Sequence, residues 1–265
     1  MNKTTAELFS LDGKVAMVTA GAGWLGSAMS EALAESGAAV AVVDINPEAT
    51  DKIVNELKAR GLNAAGLSAD VMSDRSLRQC IDDIADEYDR LDILVHAAFP
   101  FGAYSLEGIT SEQLAEGFEK GPGANMVAAQ QAAMHMRKVG GGSIINIGSM
   151  YGMVSHCPDV YENITQPLDV TYTAGKAAVI HLTRHLAVYW AKDNIRVNCI
   201  SPGPFPQRDT PQKMPELVAR ISRKVPMGRF GQPWELKGAA VFLASEASSF
   251  MTGQNIVIDG GWTAW

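Results

Sequence analysis

"VAMVTAGAGWLGSAMS", Val15 to Ser30, holds the turn that decides the fold. An apolar run, "VAMVTA" at 15–20, stops in a glycine-rich stretch, "TAGAGWLG" at 19–26. Helical spacing follows at once, with Leu25, Met29, Leu33 and Ala34 on one stripe and Gly37 closing it. A strand that enters a helix through glycines puts free helix N–H groups at the carboxyl end of a sheet, where a phosphate binds. Glycine supplies positive φ at some loop positions and close backbone approach at others. Gly21, Gly23 and Gly26 can meet those needs, with Trp24 and Leu25 between them. Ala20 fits at little cost if its φ is negative. Trp24 fits if its side chain points outward, over a diphosphate or a neighbouring loop.

Working outward, short apolar runs alternate with helical patterns. "AAVAVVD" at 38–44 reads as a strand buried on both faces. "PEATDKIVNELKARG" reads as a helix with Pro47 in its first turn and Gly61 past its end. A weaker strand follows at 63–68, then a helix in "SDRSLRQCIDDIADEY" capped by Ser73 or Asp74. Further strands are expected at 91–97, 143–149, 195–201 and 255–261. Helices are expected at about 111–137, interrupted by "GPG" at 121–123, and at 171–192 and 234–245. Seven strands with intervening helices predict one Rossmann-type, doubly wound α/β domain over 1–265. Its sheet would be mainly parallel and covered on both faces. Two long stretches without periodicity, 151–170 and 202–216, are candidates for functional loops.

Composition narrows the class. The chain has 265 residues, enough for a single large core, and a formal net charge of -7, which gives no support to a nucleic-acid footprint. The basic run "RISRK" at 220–224 reads as a solvated helix face. No apolar stretch approaches the length that spans a bilayer, and "MNKTTAELFSLDGK" lacks the core of a signal peptide, so no membrane association and a cytoplasmic location are expected. Cys80, Cys157 and Cys199 are too widely spaced for a disulfide framework or a metal site. His156 beside Cys157, and the i,i+4 pair His181 and His185, lack a third ligand, so no metal is expected. His96, at the end of the fourth strand, is a candidate pocket residue.

The second strand ends at Asp44, 18 residues beyond Gly26. A carboxylate there accepts hydrogen bonds from both hydroxyls of an adenosine ribose and repels a 2′-phosphate. No Lys or Arg lies at 20–28 or 45–46 to neutralise such a phosphate, which favours NAD over NADP. Asp70, followed by Val71 after the third strand, is placed either to meet the adenine edge or to cap the next helix.

"TYTAGKAAVIHLT" at 171–183 starts a helix with Tyr172 and Lys176 on one face. A free phenol titrates near 10, too high for acid–base work at neutral pH, and an adjacent ammonium lowers it. The pair can then exchange a proton with a reacting oxygen, which the Ser149 hydroxyl can also meet. A packed tyrosine beside a solvated lysine is the plainer alternative.

These motifs together resemble the short-chain dehydrogenase/reductase family over nearly the whole chain, from about Leu11. "YTAGK" matches its Tyr-x-x-x-Lys and "NIGS" its catalytic serine at Ser149. Asn125 in "GANMVAAQQA" matches its helix asparagine, and "IRVNCISPG" the stretch that reaches the nicotinamide. "GRFGQPWELKGAAVFLASEASSFMTGQNIVIDGG" matches its C-terminal third. The resemblance implies Tyr172 as general acid or base. Lys176 would lower its pKa and bind the nicotinamide ribose, Ser149 would steady the substrate oxygen, and Asn125 would support a water chain. It places Pro202 and Gly203 against the nicotinamide and Ala97 beside the cofactor, and it implies a homo-oligomer, tetramer or dimer. The segment 204–226 would form a substrate lid.

Three departures stand out. The family's Thr-Gly-x-x-x-Gly-x-Gly has Ala20 and Trp24 at two glycine positions, and the spacing looks like a Gly-x-x-Gly-x-x-Gly variant using Gly23 and Gly26. Its Asn-Asn-Ala-Gly is "HAAF" at 96–99, so Ala97 cannot make an asparagine's bonds and Phe99 stands for a glycine. The gap of 23 residues from Ser149 to Tyr172 is longer than usual and contains "HCPDVYENITQPLDV", expected as a pocket wall or an interface loop. The expected activity is hydride transfer between NAD(H) and a secondary alcohol or ketone, with a polyol, sugar or sugar acid as substrate. A 3-oxoacyl thioester reductase and a non-catalytic NAD-sensing protein remain open.

Overall fold

The structure is a computed structural model describing residues 3–100, 104–165 and 169–265. Seven strands form one sheet: β1 Val15–Thr19, β2 Ala39–Asp44, β3 Ala64–Ser68, β4 Ile93–His96, β5 Gly142–Ile147, β6 Ile195–Pro202 and β7 Asn255–Ile258. Their order is β3-β2-β1-β4-β5-β6-β7 and every pairing is parallel. The predicted Rossmann-type architecture is therefore the observed one. Several strands are shorter than their apolar runs because side chains end the ladder early. After Ile258 the Asp259 carboxylate accepts from the amides of Gly261 and Thr263, and Gly260 and Gly261 take positive φ.

The helices are α1 Thr5–Phe9, α2 Gly26–Glu35, α3 Pro47–Ala59, α4 Asp74–Glu87, α5 Ser111–Phe118, α6 Ala124–Lys138, α7 Pro158–Tyr161, α8 Val170–Trp190, α9 Thr210–Lys213, α10 Pro215–Lys224 and α11 Lys237–Ala244. Five of the eleven helices described, α1, α3, α4, α5 and α8, start at a side-chain cap. Asn46 accepts from Ala49 N at α3, and Ser73, rather than Asp74, accepts from Ser76 N at α4. Between α5 and α6 the chain widens into a π turn, Glu119–Gly123, around Pro122, which has no N–H to continue the α ladder.

Side chains alternate across the sheet. Leu94, Ile144 and Val197 join one core with α4, α6 and α8, whereas Ile93, Val95, Ile145 and Ile200 join the other with α2, α3 and α11. A third, smaller cluster joins Met150, Tyr151, Val160, Leu217, Ile221, Val225 and Trp262. It packs the long segment after β5 against α10. Among the described residues no helix is long and apolar enough to cross a membrane.

Candidate active site

The direction of winding reverses between β1 and β4, and the crevice outside their carboxyl ends is where such sheets bind ligands. The glycine loop lies there. Ala20 has φ +48°, so the expected negative value is not found. The turn is drawn tight directly off β1: Gly21 N donates to Val43 O at 2.9 Å and Gly23 N to Ala20 O at 3.0 Å. An L side chain is strained in that region by about 1–2 kcal/mol. Ala20→Gly is therefore expected to raise stability by about 0.5–1 kcal/mol after glycine's extra chain entropy, seen as a higher urea midpoint at unchanged slope.

The loop's glycines leave room that a side chain would fill. A Cβ on Gly26 would lie 2.0 Å from Ala20 O, and one on Gly21 2.6 Å from Val18 O. No side chain caps α2; Gly23 O takes the Ser27 amide at 2.9 Å, and the N-terminus of the helix faces the position of an external anion such as a pyrophosphate. Trp24 takes the second of its two expected directions. It lines a groove with Ile53, Leu57, Arg60 and Trp234, between α2, α3 and the Pro233–Leu236 turn.

Asp44 borders this cradle. Its Oδ2 accepts from Ala22 N at 3.3 Å and its Oδ1 from Asn46 N at 3.2 Å. Asp70 is exposed and closes a turn onto Met72 N at 3.0 Å, while Val71 beside it is buried. Thr19 is a hub that sequence reasoning missed. Its Oγ1 accepts from the amides of Ala97 and Ala98 at 3.1 and 3.2 Å and pairs with His96 Nδ1 at 3.1 Å. With two donors already on that oxygen, the hydroxyl proton points to Nδ1 and fixes the neutral tautomer protonated at Nε2. Burial, with the Lys176 charge adding, pushes His96 down to about 3. It is a neutral support under the sheet rather than the pocket residue expected. The Thr19 hub also supplies the local ties that Ala97 lacks.

At the start of α8, Asp169 accepts from Tyr172 N at 3.1 Å, Thr171 Oγ1 at 2.5 Å and Tyr104 N at 3.3 Å. This buried cap was also missed, although an aspartate just before a helical pattern is its usual signature. One turn on, Lys176 is buried. The Tyr172 hydroxyl bonds the Ser149 hydroxyl, and Ser149, the cap of a short turn after β5, accepts from Tyr151 N at 3.1 Å. Sequence-distant Ser149, Tyr172 and Lys176 are thus brought together.

The electrostatics differ from expectation. Burial, the largest influence, holds the Tyr172 phenol above its ordinary value, and the Ser149 bond opposes it. Lys176 Nζ donates to Ile147 O at 2.7 Å and lies 5.7 Å from the Tyr172 ring centre. Burial pushes Lys176 itself down to about 7. Asn125 is buried on α6 and donates from Nδ2 to Gly121 O at 3.3 Å. Among the described residues no hydrogen bond joins it to Lys176.

Pro202 and Gly203 close β6 at the same edge. Gly203 N donates to Ile258 O at 2.9 Å, and a Cβ there would lie 2.4 Å from Asp259 Cα. The neighbouring wall joins the long segment after Ser149 to α10. Arg220 donates to the carbonyls of Asp159 and Glu162 at 2.9 Å, and the hydroxyls of Tyr151 and Tyr161 bond each other. A cavity of about 740 Å³ lies against this wall, lined by Cys157, Asp159, Arg223, Lys224, Trp262 and Trp265 among others. Residues 166–168 of the predicted insertion lie outside the described residues. Phe205 packs on Gly231 and the core beside α11.

A parallel sheet with an uncapped glycine loop and a Ser–Tyr–Lys cluster at its carboxyl edge defines a dinucleotide-dependent oxidoreductase. A family model described as "Enoyl-(Acyl carrier protein) reductase" matches residues 21–263. The chain is 32% identical over 258 residues to a curated NAD-dependent glycerol dehydrogenase of Listeria innocua, covering 96% of each chain. It is 32% identical over 268 residues to a D-threitol dehydrogenase of Mycolicibacterium smegmatis, covering 96% of this chain and 95% of the other. A gluconate 5-dehydrogenase of Burkholderia cenocepacia J2315, solved with NADP and tartrate, superposes with a TM-score of 0.86 at 30% identity, covering 99% of this chain and 100% of the other. This chain belongs to the short-chain dehydrogenase/reductase family and is an NAD(P)-dependent enzyme.

Proposed function

We propose that the enzyme interconverts a secondary alcohol and its ketone on a polyol, sugar or sugar acid, with NAD(H) as its preferred cofactor. The observation that carries this reading is the Tyr172–Ser149 hydroxyl pair, one helical turn from buried Lys176, at the sheet edge that holds the glycine cradle. The dinucleotide, when bound, supplies the hydride donor or acceptor. Ser149 holds the substrate oxygen, and Tyr172 gives that oxygen a proton in reduction or takes it in oxidation. Lys176 would turn from Ile147 O toward the nicotinamide ribose and the phenol. Asn125 would hold water that exchanges this proton with solvent. Gly21, Gly23, Leu25 and Gly26 would cradle the pyrophosphate, with Asp70, Val71, Ala97, Pro202 and Gly203 along the rest of the cofactor.

Two observations support a polar substrate. The cavity against the wall carries charged side chains, and curated relatives named for glycerol and D-threitol match 96% of the chain. For the cofactor, Asp44 sets a carboxylate beside the cradle, a group that would repel a 2′-phosphate. Its repulsion is expected to favour NADH over NADPH by about tenfold or more, and Asp44→Ser should remove most of that preference. Fluorescence titration of both variants with both cofactors measures this. Equal affinities in the wild type would overturn the NAD assignment.

The activity is tested by an absorbance screen at 340 nm with NAD and a panel of polyols, sugar acids and hydroxyacids, and with NADH and a 3-oxoacyl thioester. Turnover on the thioester alone would replace the substrate class. NADH binding without turnover on any compound would favour a sensor.

A further inference from the structure

Phe99 stands where the family has a glycine, and its ring fills the space beside the catalytic helix. Its ring centre lies 4.0 Å from Lys176 Nζ, and it meets the Tyr172 ring edge-on at 5.5 Å. Two separate elements are notched for it. A Cβ on Gly121, in the π turn, or on Gly175, on α8, would come within 2.8 Å of Phe99 Cζ. The ring is therefore seated by shape rather than by chance contact.

The surroundings of Lys176 explain what such a ring can do. An ammonium carries three N–H groups, and the Ile147 carbonyl takes one. The titratable groups facing it are His96 from β4, Cys199 from β6 and Tyr172 from its own helix. His96 is neutral, and burial pushes the Cys199 thiol up to about 11. None of the three is a carboxylate, so the ammonium has no counter-ion among them. A ring face turned to a desolvated cation supplies the missing negative potential.

We propose that Phe99 is a positioning residue whose π face keeps buried Lys176 charged, one turn from the Tyr172 phenol. Burial leaves Lys176 at about 7, so a modest loss of stabilisation changes its charge near neutral pH. The sign follows: without the ring face the cation is less favoured, and the proton leaves at lower pH. Its consequence for turnover rests on the proposed function; the charge itself does not.

Protein labelled with ¹³C-lysine, with the Lys176 resonance assigned by its loss in Lys176→Met, reports that charge directly in a titration by NMR. Phe99→Leu keeps the site dry and removes the ring, and should move the Lys176 midpoint about one pH unit toward acid. Phe99→Met, unbranched and adaptable, should do the same where Leu fails to fold. A midpoint that stays put, or rises, in a folded variant overturns the proposal. NADH affinity measured over the same pH range should weaken earlier in the variant. A shifted midpoint with an unshifted NADH profile would uphold the role of Phe99 and count instead against Lys176 as a ribose ligand.

Discussion

Tyr172→Phe is expected to lower turnover by about a thousandfold while NADH binding stays within about threefold. The substitution removes one oxygen and little else. The ring remains edge-on to Phe99, and the Asp169 cap still holds the backbone at the start of α8. What is lost is, among the described residues, the only phenol bonded to Ser149 with a lysine one turn on. The rivals are poorly placed to replace it. Tyr151 and Tyr161 bond each other, and burial drives both phenols above their ordinary range. Steady-state rates with the best compound of the screen, together with NADH fluorescence, separate the two effects. A Tyr172→Phe variant with wild-type turnover would remove Tyr172 as the proton donor and with it the proposed chemistry.

Gly26→Ala is the second large effect. The added methyl would lie 2.0 Å from Ala20 O and 2.8 Å from Ala20 C, both backbone atoms that no side-chain rotation can clear. The first turn of α2 must move away from β1, taking its amides out of the cradle. NADH affinity should fall by about thirtyfold or more, close to 2 kcal/mol, with a lower melting temperature. Gly238→Ala on α11, where a Cβ meets nothing within 4 Å, is the matched control and should bind NADH normally. If Gly26→Ala bound NADH as tightly as that control, the cradle would have to be sought elsewhere.

The sheet was legible because its signal is redundant. Short apolar runs such as 38–44, closed by turn residues, read as inner strands, and their alternation with helical patterns fits a doubly wound sheet. The cluster of Ser149, Tyr172 and Lys176 was legible because a short spacing on one helix and one serine after a strand carry it. What the residue types concealed was orientation. Nothing in "TAGAG" announces that Ala20 takes a positive φ, since that is imposed by Gly21 N reaching back to Val43 O across the chain. Nor does "YTAGK" reveal that its lysine bonds a carbonyl of β5, or that Gly121 and Gly175, far apart in sequence, face one ring. The His96 ring pointed to a pocket by position, yet its burial is set by strands on either side.

The wall beside the 740 Å³ cavity has a practical side. Cys80 and Cys199 are buried and their thiols are pushed up to about 11, whereas Cys157 is half-buried and opens onto the cavity facing α10. A maleimide dye offered to the unmodified enzyme would therefore attach at one spot. Its emission would report on what enters that cavity, with no engineered handle needed.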